Sequence, residues 1–173
     1  MVQHKMKILG INCMNHDASM TVVDGREIVW AAHSERYSKV KNDHFLNWKI
    51  VNEAMTHGPF DKVVYYERPW LKKTRQLYAG QWGDALSYTE LPSWHLDHFN
   101  IKIDEYVKHH DSHAAAGYFT SPFREATILT VDAIGEWETV SISTADKVWI
   151  DRKETINYPH SVGILYSAFT HRC

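Results

Sequence analysis

Cysteine is nearly absent from this chain: there are two in 173 residues, Cys13 and Cys173. Two thiols make no disulfide framework and fit a reducing compartment. Long apolar runs are missing too; none approaches the roughly 20 residues that a membrane helix needs. The opening Met-Val-Gln-His-Lys-Met holds no apolar signal region. Neither charge dominates, because 19 Lys and Arg stand against 21 Asp and Glu, a formal net charge of −2. That balance leaves no electrostatic footprint for nucleic acid or a membrane surface. The phosphate-cradling patterns G-x-x-x-x-G-K-[ST] and G-x-G-x-x-G do not occur. The expectation is a soluble, cytoplasmic protein. What the chain does have is 44% apolar residues and seven tryptophans, enough for a real core in one domain or part of a larger one. Met6 is an alternative start, since the first strand begins directly after it.

The patterning predicts strands near 7–12, 18–23 and 27–33, with a hairpin turn signal at Asp24-Gly25. Phe45, Trp48, Val51 and Met55 follow a helical spacing, ended by His57-Gly58-Pro59. Residues 61–67 read as a buried strand. Residues 68–100 have no clean period and contain two prolines and two glycines, so a loop-rich insertion with short helices is expected there. An Ala-rich helix follows 102–110 and runs towards Tyr118, before Ser121-Pro122. The opening pattern then recurs. Strands are expected at 127–131, 139–143 and 148–156, with a turn at 144–147 and a helix at 161–169. An internal duplication of a strand, polar loop, strand, turn, strand unit accounts for this; a second, coincidental three-strand meander is the alternative. Either gives an α/β architecture with a mixed sheet. The first lobe spans 1–126 and an incomplete second lobe 127–173.

His109 and His113 stand one helical turn apart, so their imidazoles share a face. Asp132 follows at the end of an apolar strand, Ile128-Leu-Thr-Val-Asp. Two imidazoles and a carboxylate are the usual nitrogen and oxygen ligands of a divalent transition metal. The alternative is a pair of solvated or core histidines beside an ordinary strand-end Asp, since twelve histidines make a chance H-x-x-x-H common. The loop Asn12-Cys-Met-Asn-His16-Asp17-Ala-Ser19 offers an imidazole, a carboxylate and a hydroxyl between two strands. His16 suits anion binding or proton transfer there; a turn held by Asn and Asp side chains is the alternative. Arg36, Lys39 and Lys41 gather three cations after a strand and suit phosphate or carboxylate capture, or form a solvated strand exit. Polar loops between paired strands hold phosphates on backbone N–H groups. The expected cofactor-binding positions are therefore Asp17 and Ser19 in the first loop and Gly135 and Glu136 in the second.

The ordered series N-x-x-x-H-D-A-S, S-E-R-Y-S-K-V-K, H-H-D-S-H-A-A-A, V-D-A-I-G-E-W-E-T and Y-P-H-S-V-G-I-L-Y-S-A resembles the NodU/CmcH family of O-carbamoyltransferases, nearly end to end. The resemblance implies an ASKHA-type fold (actin-like ATPase, RNase H-like), in which two duplicated α/β subdomains enclose nucleotide and metal. It implies conversion of carbamoyl phosphate and ATP into carbamoyl adenylate, with transfer of the carbamoyl group to a small hydroxylated acceptor. By that resemblance His109, His113 and Asp132 are ligands of an iron-type divalent ion, and a further Asp ligand lies beyond this chain. His16 matches the active-site loop histidine, and Arg36 and Lys39 fall in the family's basic stretch; these three are the expected catalytic residues. Family enzymes are much longer and carry a YrdC-like second domain, so a separate chain bearing the C-terminal part is an expected partner. The family usually has Gly where this chain has Ala133, and a Cβ there crowds a close backbone approach.

Overall fold

Alternation of apolar and polar side chains sets the first strands, and the chain then builds outward from them. The computed structural model describes residues 5–173. In chain order the elements are β1 (Lys7–Asn12), β2 (Ser19–Asp24), β3 (Glu27–His33), α1 (Glu35–Ser38), α2 (Trp48–Met55), β4 (Lys62–Tyr65), α3 (Pro69–Tyr78), α4 (Trp82–Leu86), α5 (Pro92–Asp97), β5 (Glu105–Tyr106), α6 (His109–Phe119), β6 (Glu125–Gly135), β7 (Glu138–Asp146), β8 (Trp149–Asn157) and α7 (Val162–Thr170). The fold is mixed α/β. The chain divides into two units: one holds the described residues up to Tyr66 together with Leu86–Tyr106, the other Glu67–Ala85 together with Val107–Cys173.

The first unit carries a five-stranded sheet in the order β3-β2-β1-β4-β5. β1, β2 and β3 form an antiparallel meander, with Asn12 opposite Ser19 and Ser19 opposite His33. β4 joins the other edge of β1 in parallel, and β5 follows in parallel. A parallel partner requires a crossover, which α2 supplies between β3 and β4. α2 starts where Asn47 turns its Oδ1 to accept the N–H groups of Lys49 (3.1 Å) and Ile50 (3.3 Å). This cap begins the helix at Trp48, three residues later than the Phe45 that the apolar spacing suggested. Ile50, Val51 and Ala54 then face Leu9, Ile11, Met20 and Val22 of the sheet in one buried cluster. Each large side chain buried there stabilises by roughly 1.5–3 kcal/mol relative to exposure.

In the second unit β6, β7 and β8 make an antiparallel meander of long strands. β6 is longer than its apolar run predicted and continues through Asp132 to Gly135. Its pairing with β7 is broken between Val131, opposite Val140, and Gly135, opposite Glu138. Asp132, Ala133 and Ile134 therefore lie in an irregular stretch with extra residues on one strand, which re-aims side chains locally. The expected polar loop after Asp132 is instead a tight turn at Glu136 and Trp137. Residues 68–100 are more helical than a loop-rich insertion. Pro69 and Pro92, read as breakers, stand in the first turns of α3 and α5, where a fixed φ and a missing N–H cost nothing. The segment is also shared: 67–85 belongs to the second unit and 86–106 to the first.

Candidate functional site

α6 begins at His109, with Lys108 as its extended N-cap. One turn of helix then places His113 over His109, and their rings lie 4.8 Å apart between centroids. β6 brings Asp132 to the same point. His109 Nε2 is 2.9 Å from Asp132 Oδ2 and 3.0 Å from His113 Nε2, and His113 Nε2 is 3.8 Å from Asp132 Oδ2. Among the described residues these three form a group whose ligand atoms all lie within 4.8 Å of one another. The other carboxylate oxygen of Asp132 accepts the N–H of Ala133 at 2.6 Å, which fixes the carboxylate's rotation. His109 is buried, His113 largely exposed and Asp132 between them, so the group opens to one side.

The electrostatics follow from this clustering. Burial works against a charged His109, but hydrogen bonds to Asp132 and Glu67 outweigh it and raise its pKa to about 9. The same contact with His109 holds the Asp132 carboxyl down at about 2. Two imidazole nitrogens and a carboxylate oxygen, roughly 3–4 Å apart, are the donor set and spacing that one divalent ion spans. The residues present therefore fit a metal.

Two carboxylates lie beside the group: Glu67, which the sequence did not single out, and Glu136, expected from the sequence as a cofactor-binding position. Glu67 follows β4, which ends at Tyr65, and is buried. Its Oε2 is 3.5 Å from His109 Nδ1 and its Oε1 accepts from Lys72 Nζ at 3.0 Å. Glu136, also buried, occupies the tight turn with φ 61°. Its Oε1 accepts the backbone N–H of Arg68 at 2.5 Å and of His109 at 3.3 Å, and its carbonyl accepts from Arg75 Nε at 3.2 Å. One carboxylate thus serves the N-termini of both α3 and α6, where the helix dipole favours a negative charge. The only sequence signal for Glu67 was an acid two residues before a helix-starting proline. Gly135, beside Glu136, lies directly under the His109 and His110 rings. His110 is fully buried; its Nδ1 is 2.9 Å from Ser141 Oγ.

The other expected residues lie in the first unit. His16 is exposed, with Nδ1 2.8 Å from Asp17 Oδ2. Ser19 starts β2. Arg36 is exposed on α1, and Lys39, at its C-cap, donates Nζ to Arg36 O at 2.8 Å. Asp17, Glu35, Lys39, Val40, Lys41 and Asn42 line an open pocket of about 500 Å³. Three of these, Asp17, Lys39 and Asn42, hold left-handed backbones with φ of 53°, 62° and 54°. Such conformations cost of order 1 kcal/mol or more outside glycine and gather at functional loops. The structure therefore brings Asp17 and Lys39 to one pocket, and His109, His113 and Asp132 to one point.

Among the described residues no helix is long and apolar enough to cross a membrane. Relatives align over nearly the whole chain. An uncharacterised protein of Synechocystis sp. is 30% identical over 193 aligned positions, covering 95% of this chain and 31% of the relative. An uncharacterised protein of Methanocaldococcus jannaschii is 25% identical over 166, covering 94% and 29%. The nodulation protein NolNO of Sinorhizobium fredii is 22% identical over 177, covering 90% and 25%. The chain thus spans about a third or less of the length of these relatives. The family described as "Carbamoyltransferase N-terminus" matches residues 66–173, the stretch that contains both imidazoles, Asp132, Glu67 and Glu136. With more than half of its length matched, this chain belongs to the carbamoyltransferase N-terminus family.

Proposed function

We propose that this chain is the N-terminal part of an O-carbamoyltransferase of the NodU/CmcH kind, acting in the cytoplasm. It takes part in moving a carbamoyl group from carbamoyl phosphate, through carbamoyl adenylate formed with ATP, to a hydroxyl acceptor. The observation that carries this reading is the convergence of His109, His113 and Asp132 inside the family-matched region. These three residues would hold a divalent, iron-type ion. Such an ion, when bound, neutralises charge on phosphoryl and carboxyl-derived oxygens. The protein's own part is to align the two imidazole nitrogens on one face of α6, where an ion would take the place of the proton that His109 otherwise shares with Asp132. Asp132, steadied by the Ala133 N–H, supplies the anionic ligand.

In the first unit, Lys39 and Arg36 are the cations for an anionic substrate group. His16, paired with Asp17, is placed to hold or move a proton. The same reading takes the fold as actin-like, and the sheet order supports it. The order β3-β2-β1-β4-β5, an antiparallel meander joined by parallel strands, is compatible with such a lobe, and β6-β7-β8 is a second antiparallel meander. On that view 1–126 is one lobe and 127–173 opens a second. Backbone amides near Asp17, Ser19 and Gly135 are its candidate nucleotide contacts.

The test is metal content. The 173-residue chain is loaded with Fe(II) or Co(II) under reducing conditions, beside His113→Ala and Asp132→Asn. The parent should retain metal weakly, and both variants should lose it while keeping the same circular dichroism. Equal metal in all three would remove the metal from the reading. Carbamoyl-adenylate formation is then assayed with the remaining portion of the enzyme supplied as a separate chain; His16→Ala should abolish it without loss of folding.

A further inference from the structure

Glu67 is buried and charged, and nothing in the proposed ligand set uses it. Its two oxygens face different partners. Oε1 takes the Lys72 ammonium at 3.0 Å, and Oε2 turns to Nδ1 of His109 at 3.5 Å. The two side chains are only 6% and 8% exposed, so the contact is shielded from solvent. Lys72 lies in the first turn of α3, which starts two residues after Glu67, so the carboxylate is gripped by the helix that follows it. The opposite edge of the His109 ring, Nε2, points to Asp132 and His113.

An imidazole can ligate through either nitrogen, and which one is available depends on what the other nitrogen bonds to. A carboxylate at Nδ1 keeps the proton there. It leaves the Nε2 lone pair for an ion and raises the ring's basicity as a ligand. Glu136 has a different role: its Oε1 accepts the backbone N–H groups of Arg68 and His109. We infer that Glu67 is the positioning residue of the His109–His113–Asp132 centre: through Nδ1–H it fixes the His109 ring so that Nε2 faces the ion. This rests on the metal reading for its purpose, but the orientation of His109 is a property of the chain without metal.

Two readouts separate the two ideas. Glu67→Gln keeps the shape and removes the charge. In the metal-free chain, the Nδ1-bound proton of His109 is followed by nitrogen-edited NMR and assigned with His109→Gln. It should be a resolved, strongly downfield signal that moves or disappears in Glu67→Gln. In parallel, Co(II) is titrated into both proteins. Binding should weaken by about 10–100-fold in Glu67→Gln, the usual effect of removing a carboxylate behind a ligating histidine, and the Co(II) visible bands should change. An ion pair that served folding alone would leave the Co(II) affinity unchanged. If the His109 proton is unmoved, or if it moves while a parent that binds Co(II) loses no affinity, the inference is overturned. If the parent binds no Co(II) at all, the metal reading fails and the proton signal alone decides for or against Glu67. Should Glu67→Gln fail to fold, Lys72→Met loosens the same carboxylate without removing it. The His109 signal must then shift from its position in the parent, and an unchanged signal counts against the inference.

Discussion

Gly135 lies beneath the imidazole of His109: a Cβ built on the glycine would stand 2.5 Å from Cδ2 of that ring and 2.8 Å from Cδ2 of His110. Neither ring can yield freely. His109 is tied to Asp132 and Glu67, and His110 is fully buried. Gly135→Ala should therefore displace the first ligand of the candidate centre. Expected are a stability loss of about 1–3 kcal/mol, as for overpacking, and a weaker Co(II) affinity, read by denaturant unfolding and metal titration of one preparation. An alanine variant with parent affinity would show that His109 has room to shift.

Gly163 makes a comparably close contact with β6. A Cβ there would fall 2.7 Å from Ala133 N, Ala133 Cα and Asp132 O, all main-chain atoms. Ser161, the N-cap of α7, accepts from Ile164 N at 3.0 Å and donates its hydroxyl to Ala133 O at 2.7 Å. The start of α7 is thus clamped to the irregular stretch that carries Asp132. Gly163→Ala should destabilise by about 1–3 kcal/mol, and Ser161→Ala by about 1 kcal/mol, typical of a lost cap. Hydrogen exchange of the α7 amides measures both, and faster exchange confined to α7 and residues 132–134 is the expected pattern.

His95, in the first unit, gives a pH dependence of its own. It is mostly buried in the first unit, and its Nε2 lies 3.0 Å from the N–H of Leu46, which it accepts as a neutral ring. Burial, with His98 nearby, pushes its pKa below the ordinary 6.5, and Asp43 opposes this only in part. The unfolded chain therefore binds a proton at a pH where the folded chain does not. Stability from this group is fully present above pH 6.5 and is lost as pH falls from there through the folded pKa. His95→Gln, whose amide oxygen accepts the same N–H, should flatten that slope. Chemical unfolding at pH 7.5 and 5.5 compares the two proteins, and an equal pH response in both would refute the assignment.

Much of the site was legible because it depends on local periodicity. An i, i+4 histidine pair on an Ala-rich segment needs only one turn of helix to converge, and α6 supplies it. Asp132 was legible as the polar end of an apolar run, but its placement in an irregular stretch of a longer strand was not. Strand length there is set by pairing with β7, a non-local effect. Glu67 was not singled out for the same reason, and Glu136 was singled out only as a cofactor-binding position: single acids acquire their structural meaning when distant segments bury them against a histidine or two helix ends. In 68–100, Pro69 and Pro92 are compatible with either a loop or a helix start, and the structure has them at helix starts. The first sheet was easier, since its three antiparallel strands follow one another along the chain.

Replacing Glu136 by Ala should cost about 2–3 kcal/mol, since a buried charged acceptor of two backbone N–H groups is lost. Glu136→Gln retains an acceptor and should cost less. Thermal melts of the two variants beside the parent test the order, and an Ala variant as stable as the Gln variant would show that water replaces the carboxylate.

Hairpin tips are ordinarily the places where a chain accepts an inserted loop, a tag or a protease nick. The tip at Glu136 and Trp137 is an exception. Its glutamate side chain is turned inward onto two helix ends, and Trp137 donates Nε1–H to Thr74 Oγ1 at 3.0 Å. Lengthening this turn by even a few residues would withdraw both anchors at once and loosen α3 and α6 together. The neighbouring turn at Lys147 and Val148, with both side chains exposed, has no such duty. A label or fluorophore loop belongs there.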